Sequence, residues 1–356
     1  MAYVLEFEKV SKASLQTVGG KNASLGEMLK AGIRVPPGFA ITTDSYLELI
    51  TAAGIAGEIQ DILAPVNPDD VASLDDASAR IQTLIANAPL PPAIARAVEE
   101  HYCRLCEQCC VDDLPVAVRS SATAEDLPNA SFAGQQDTYL WIKGIDSVNQ
   151  MAQKCWASLF TARAISYRMK MNFPHDKVLI SVGVQKMVNS RTSGVMFTIN
   201  PLNGDPSKVV VEGSWGFGEA VVSGAVTPDK YVVDKVCNEV NERTISTKVI
   251  ECVYEPGEGV VHRDVPSDRQ TIPCLENREL MELVRVARLI EDHYERPMDI
   301  EWAIDRDLSF PDNVFIVQSR PETIWSQKKD DAPKLGRKNS YELLMEKALN
   351  PVRINR

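Results

Sequence analysis

Apolar and polar positions change their spacing midway along the chain. In the first half most patterned stretches repeat every three or four residues, the signature of one helix face. Leu25, Met28 and Leu29 share such a face on a helix stopped by Gly32, and Ile94, Val98, Tyr102, Leu105 and Cys109 share another over 93–110. Residues 146–168 read as one long amphipathic helix, and 55–92 as short helices joined by Asp-, Ala- and Pro-rich turns. Strands are expected at 4–7, at LPVAVRS (114–120) and at DTYLWI (137–142); RVPPGFAITTDSYLEL reads as an extended piece entering a helix capped by Thr43 or Asp44.

The second half is strand-rich. KVLISVGVQKMV, GVMFTIN, KVVVEGSW and KYVVDK are separated by Asn, Gly and Pro turns, and a helix near 277–294 precedes two more strands, MDIEWAID and NVFIVQSR. The change predicts a mixed α/β part over 1–184 and a strand-rich part over 185–325. The remainder, 326–356, holds eight basic and four acidic residues and reads as a polar tail with one short helix, YELLMEKAL.

At 356 residues the chain exceeds one ordinary core, which agrees with two or more subdomains. A net charge of −11 argues against nucleic acid as a partner, but leaves room for a local basic pocket. Acidic residues in MAYVLEFEKV and the lack of an apolar run near 20 residues argue against export and membrane insertion. Eight cysteines are sparse for a disulfide scaffold, so a reducing cytoplasm is the expectation. HYCRLCEQCC (101–110) contains CxxC, but no second Cys/His pair follows at zinc spacing; its periodicity favours a buried helix.

Known phosphate loops do not fit. GGKN (19–22) would need glycine at Leu15 to be a P-loop, and GSWGFGEAVVSG has Val221 where a dinucleotide fingerprint needs its third glycine. A looser anion site survives. Lys21 sits in a Gly-Gly loop opening a helix, Arg119 ends a strand, and Gly134 would let backbone approach a ligand closely. Glu301, Gln318 and Arg320 lie on two late strands as a metal and phosphate end; Asp299 shares the strand face of Glu301, which equally fits a solvated polar face.

As strings, VGGKNASLGEMLKAGIRVPPGFAITTDSY, AVRSSATAEDLPNASFAGQQDTYL, SGVMFTINP, EGSWGFGEAVVSGAVTPDKYVVD and DIEWAID…FIVQSRPET together resemble the ATP-binding part of the phosphoenolpyruvate synthase and pyruvate phosphate dikinase family, over about residues 11–325. The resemblance implies an α+β, ATP-grasp fold with two subdomains clasping MgATP. It implies phosphate-binding and catalytic roles for Lys21 and Arg119, a loop over the triphosphate containing Gly134 and Thr138, and a nucleotide contact at the hinge by Gln185. Glu301 and Gln318 would bind Mg²⁺, and Arg320 would be the catalytic cation at the transferred group. IDRDLSFPDN makes the connection between Glu301 and Gln318 longer than the family pattern.

The family passes phosphate through a histidine in a Gly-Gly-x-Thr-x-His context. None of the four histidines here, in HYCRL, HDKVL, HRDVP and HYERP, has it. The implied partner is therefore a histidine-bearing phosphocarrier subunit or domain, with ATP leaving as AMP and phosphate. The ATP-binding subunit of phenylphosphate synthase, a split member, is the specific expectation, with phenol as acceptor. The alternatives are a rifampin-phosphotransferase-like or phosphoenolpyruvate-synthase-like enzyme, or a nucleotide-sensing subunit without transfer activity.

Overall fold

The computed structural model describes residues 2–123, 126–127, 130–131, 137–323 and 325, with backbone only at 126–127 and 130–131. The chain opens with β1 (Val4–Glu6), α1 (Leu15–Lys30), β2 (Gly38–Ile41) and four helices, α2 (Thr43–Ala52), α3 (Ala56–Leu63), α4 (Val71–Ala86) and α5 (Pro92–Cys109). Then come β3 (Val116–Ala122), the two-residue strands β4 (Asp126–Leu127) and β5 (Ala130–Ser131), β6 (Thr138–Ile142), α6 (Ile145–Ala157), α7 (Ala162–Lys170) and β7 (Ile180–Lys186). The strand-rich part holds β8 (Ser190–Phe197), β9 (Lys208–Trp215), a short α8 (Glu219–Val222), β10 (Asp229–Asp234), β11 (Val240–Thr244) and the hairpin β12 (Ile250–Glu255) and β13 (Gly259–Asp264). It ends with α9 (Asn277–Tyr294), β14 (Met298–Asp305) and β15 (Val314–Pro321).

Two antiparallel sheets organise these elements. The first has the order β1-β2-β7-β3-β6 and the second β11-β10-β9-β8-β14-β15. Period-two alternation gives the first sheet two buried faces. Phe39, Ile41, Val116, Val118, Val182 and Val184 face α2 to α7 in one core. The intervening Arg119, Gly183 and Gln185 face the other way, toward α1 and the second sheet.

α9 carries Leu280, Leu283, Val284, Ala287 and Ile290 on one face and buries them on the second sheet. A capping box between Glu276 and Glu279 starts it, and Glu279 also accepts two hydrogen bonds from Arg191 Nη2, at 2.6 and 2.7 Å. α1 belongs to this second core through Val18, Leu25 and Met28, although it precedes most of the first sheet in sequence. The expected division at 184/185 falls inside β7, the strand that completes the first sheet; every strand of the second sheet follows it, while α1 crosses from the first part into the second core.

Two expectations are corrected. The helix expected over 146–168 is two helices, because Thr161 caps α7 by accepting from the Ala164 amide and so ends the first at Ala157. The cap position of α2 is Thr42, not Thr43 or Asp44, and Thr43 is already helical, its hydroxyl donating to the Gln16 carbonyl. α5 is a helix as its periodicity predicts, with Ile94, Val98, Tyr102 and Leu105 buried. Among the described residues no helix is long and apolar enough to cross a membrane. The tail, 326–356, lies outside the described residues.

Candidate functional site: a cation–oxygen cluster between the sheets

β3 pairs Arg119 with Gly183 on one side and Thr138 on the other. Its side chain leaves the first sheet and ends on the second. Nη1 donates to the Val317 carbonyl at 2.8 Å. Nη2 donates to Gln318 Oε1 at 2.7 Å and to Glu301 Oε2 at 3.1 Å. Gln318 Nε2 in turn donates to Glu301 Oε1 at 3.1 Å, so two acceptor oxygens are held side by side around one guanidinium nitrogen.

A β-bulge creates this arrangement. Trp302 pairs with Ile316 but Glu301 pairs with Gln318, leaving Val317 as the extra residue. Val314 and Ile316 point into the core, and strict alternation would send Gln318 after them. The bulge shifts the phase, so Gln318 and Arg320 stand on the face of their partners Glu301 and Asp299. It also leaves the Val317 carbonyl available to Arg119.

Lys21 stands in α1 just after a kink at Gly19 that is pinned against β3 and β7. Gly19 has φ 73° and ψ 172°, and a Cβ there would lie 2.1 Å from the Ser121 carbonyl oxygen. Only glycine makes that approach. The Asn22 amide donates to Ser121 Oγ at 3.3 Å. Its side-chain Nδ2 donates to the Val18 carbonyl at 3.0 Å and to Ser181 Oγ at 3.1 Å, while the Ser181 hydroxyl donates to the Ile41 carbonyl. The half-buried Lys21 thus leaves the first turn after a fixed kink, beside Arg119.

Gln185 is buried and donates to the Pro36 carbonyl at 3.3 Å. Lys21, Asn22, Arg119, Gln185, Val317 and Gln318 line one gap of about 10 Å³, room for a single water molecule. Farther out, the exposed Arg320 clamps Asp299 Oδ2 with Nε at 2.8 Å and Nη2 at 2.7 Å. Burial pushes the Asp299 carboxyl above its usual range and the nearby Glu301 adds to this, while Arg320 pulls it back. Arg320 therefore favours the charged form of Asp299 against the burial that opposes it.

Of the residues expected at the site, Lys21, Arg119, Gln185, Glu301 and Gln318 come together. Thr138 stands opposite Arg119 in register, and Arg320 lies two residues beyond Gln318. Gly134 lies outside the described residues. Asp299 joins the cluster although its spacing alone equally suited a solvated face. Asn22, Ser121 and Ser181 emerge only from the fold, since nothing local marks them. Two cations facing two or three oxygen donors, from opposite walls, match the needs of a polyphosphate carrying a divalent ion.

The family model described as pyruvate phosphate dikinase, AMP/ATP-binding domain, matches residues 15–340. A probable phosphoenolpyruvate synthase of Staphylothermus marinus is 46% identical over 350 residues, covering 92% of this chain and 42% of that protein. The phosphoenolpyruvate synthase of Aeropyrum pernix is 44% identical, covering 92% and 43%, and that of Pyrococcus furiosus 41% identical, covering 91% and 44%. The chain spans less than half the length of these relatives. Its two sheets, with the cation–oxygen cluster between them, are an ATP-grasp architecture, and the chain belongs to the pyruvate phosphate dikinase AMP/ATP-binding domain family.

Proposed function

We propose that this chain is the nucleotide-activating part of a phosphoenolpyruvate-synthase-type phosphotransferase, which uses MgATP to phosphorylate a histidine outside these 356 residues. The observation that carries the reading is the convergence of Glu301 and Gln318 oxygens on the point held by Arg119. A carboxylate and an amide oxygen from neighbouring strands suit Mg²⁺, which takes one or two protein oxygens and completes its shell with phosphate and water. The bound ion would draw charge from the phosphates. The protein's own residues do the rest.

Lys21, fixed by the Gly19 kink and the Asn22 contacts, supplies a point charge next to helix N–H groups. Arg119 supplies a planar fork to phosphate oxygens. Arg320, exposed and next to Asp299, is the cation at the transferred group, where positive charge lowers the barrier by matching spreading negative charge. Thr138 and Gly134 complete the cover over the phosphates, and Gln185 holds the nucleotide at the strand that links the sheets. Mapping the sheets onto two subdomains, 1–184 and 185–325, with 326–356 as a tail, belongs to the same proposal.

The final acceptor is proposed from the relatives, whose names specify phosphoenolpyruvate as the product. Phenol draws no support from them and is the alternative to be assayed. The test incubates the chain with Mg²⁺ and β- or γ-labelled ATP, with and without a histidine-bearing carrier domain, and follows the nucleotide products. AMP, β-label on the carrier histidine, and a loss of about 10²-fold or more in Arg320→Met are expected. ATP binding without AMP, whichever carrier is added, would leave a sensing module instead.

A further inference from the structure

We propose that Arg119 is a built-in placeholder for the divalent cation, so that metal alone is kept out and the site accepts it only together with nucleotide. The inference rests on the reading that Glu301 and Gln318 are the metal ligands. It adds that the chain itself fills their coordination point.

Nη2 of Arg119 sits 2.7 Å from Gln318 Oε1 and 3.1 Å from Glu301 Oε2. A magnesium ion bound by the same two oxygens needs contacts of about 2.0–2.1 Å, so its position falls within the space that nitrogen takes. Guanidinium and metal are mutually exclusive there.

Arg119 is held in place by more than charge. Nη1 is anchored on the Val317 carbonyl that the bulge frees, and the side chain is 15% exposed, which limits competition from water. A planar fork thus bridges three acceptors on two strands and ties the sheets together. An arriving ion must break all three contacts. Nucleotide changes the balance, because phosphate oxygens offer the displaced guanidinium new charge-assisted partners. Arg119 then moves from protein oxygens to phosphate oxygens as the metal takes its place.

Substitutions at Arg119 should therefore act with opposite signs on metal and on nucleotide. Mn²⁺, followed by the paramagnetic resonance of the free ion, reports metal binding without ATP. Arg119→Met should bind Mn²⁺ about tenfold or more tighter than the unaltered chain, while binding ATP in the presence of metal about tenfold or more weaker. Arg119→Lys keeps the charge but cannot hold three acceptors in one plane, and should gain part of the Mn²⁺ affinity. No gain in Arg119→Met would overturn the proposal. A gain there with none in Arg119→Lys would overturn it too, in favour of plain charge repulsion.

The underlying reading is scored separately. Glu301→Gln must weaken Mn²⁺ binding in the presence of ATP, and must abolish the gain when combined with Arg119→Met. If it does neither, the metal assignment falls. If Glu301→Gln weakens Mn²⁺ binding but Arg119→Met gains nothing, the placeholder falls alone. Urea denaturation of each variant separates a local effect from loss of fold.

Discussion

Replacing Gly19 with alanine asks the most of the kink before Lys21. At φ 73° and ψ 172° the residue lies in backbone territory that is essentially reserved for glycine, at a strain of about 1–3 kcal/mol for any other residue. The new Cβ would also sit 2.1 Å from the Ser121 carbonyl oxygen and 2.4 Å from its Oγ. A carbon needs more than about 3 Å there, and the obstacle is backbone of β3, an interior strand paired on both sides, so the kinked segment must retreat by about 1 Å. Overpacking of this kind costs a further ~1–3 kcal/mol, and the stiffer unfolded chain adds ~0.4–1 kcal/mol of destabilisation relief in the opposite direction by favouring the folded state. The net expectation is a loss of about 1–5 kcal/mol, large against a stability of ~5–15 kcal/mol. Because Lys21 is two residues on, a shift of that size should also lower nucleotide turnover by about 10²-fold.

Gly32 provides the control. It has φ 74°, but a Cβ there meets nothing within 4 Å. Gly32→Ala therefore carries only the left-handed penalty of ~1–2 kcal/mol, partly offset through the unfolded state. Urea midpoints and calorimetric ATP titration of both variants separate the clash from the conformational effect. If Gly19→Ala is no less stable than Gly32→Ala and binds ATP as the parent does, the close approach to β3 does not position Lys21.

Two predictions concern groups away from the cluster. Lys248 and Asp229 form an ion pair with both side chains fully buried, Nζ to Oδ1 at 2.6 Å, and Asp229 also accepts from the Ser246 and Cys274 amides. Lys248→Met strands a buried carboxylate and should cost about 3–5 kcal/mol in chemical denaturation, whereas adding Asp229→Asn should recover part of it; a cost below ~1 kcal/mol would mean the pair is not sealed. His175 accepts a 2.8 Å hydrogen bond from the buried Arg168 Nε, and burial, with Arg168 beside it, pushes the imidazole down to about 4. The folded state then binds fewer protons than the unfolded state between about pH 6.5 and 4, so stability is present above that window and is lost as pH falls through it. Discounted for partial exposure, the loss is on the order of 1–2 kcal/mol. His175→Asn, which keeps an acceptor but does not titrate, should flatten the acid slope of the urea midpoint; an unchanged slope would assign the acid sensitivity elsewhere.

The sequence makes some of this site legible and hides the rest for identifiable reasons. Local chemistry marks Lys21, through the glycines beside it, and Arg119, through the hydroxyl-rich turn that follows. Strand periodicity marks Glu301 and, two residues before it, Asp299. Contacts that hold these groups in place have no local trace. Asn22 reaches Ser121 and Ser181 across 99 and 159 positions, and Arg119 reaches Val317 across 198. The break at Thr161 is hidden for a smaller reason: one capping threonine interrupts an apolar pattern that otherwise continues.

The bulge at Val317 is the most instructive of the hidden features. Counting by twos from Val314 and Ile316 buries Gln318 and exposes Val317, which would place the amide and Glu301 on opposite faces of the sheet. One unpaired residue reverses the phase for the rest of β15, bringing Gln318 and Arg320 level with Glu301 and Asp299. Ser319, not Gln318, then follows Ile316 inward, and its buried hydroxyl has no hydrogen-bond partner among the described residues. That desolvated hydroxyl opposes stability at this position. A strand built for stability alone would place an apolar side chain there and keep its register. This one instead delivers an amide N–H to the carboxylate, a carbonyl to the arginine and a second arginine to the aspartate, all within the four residues from Val317 to Arg320.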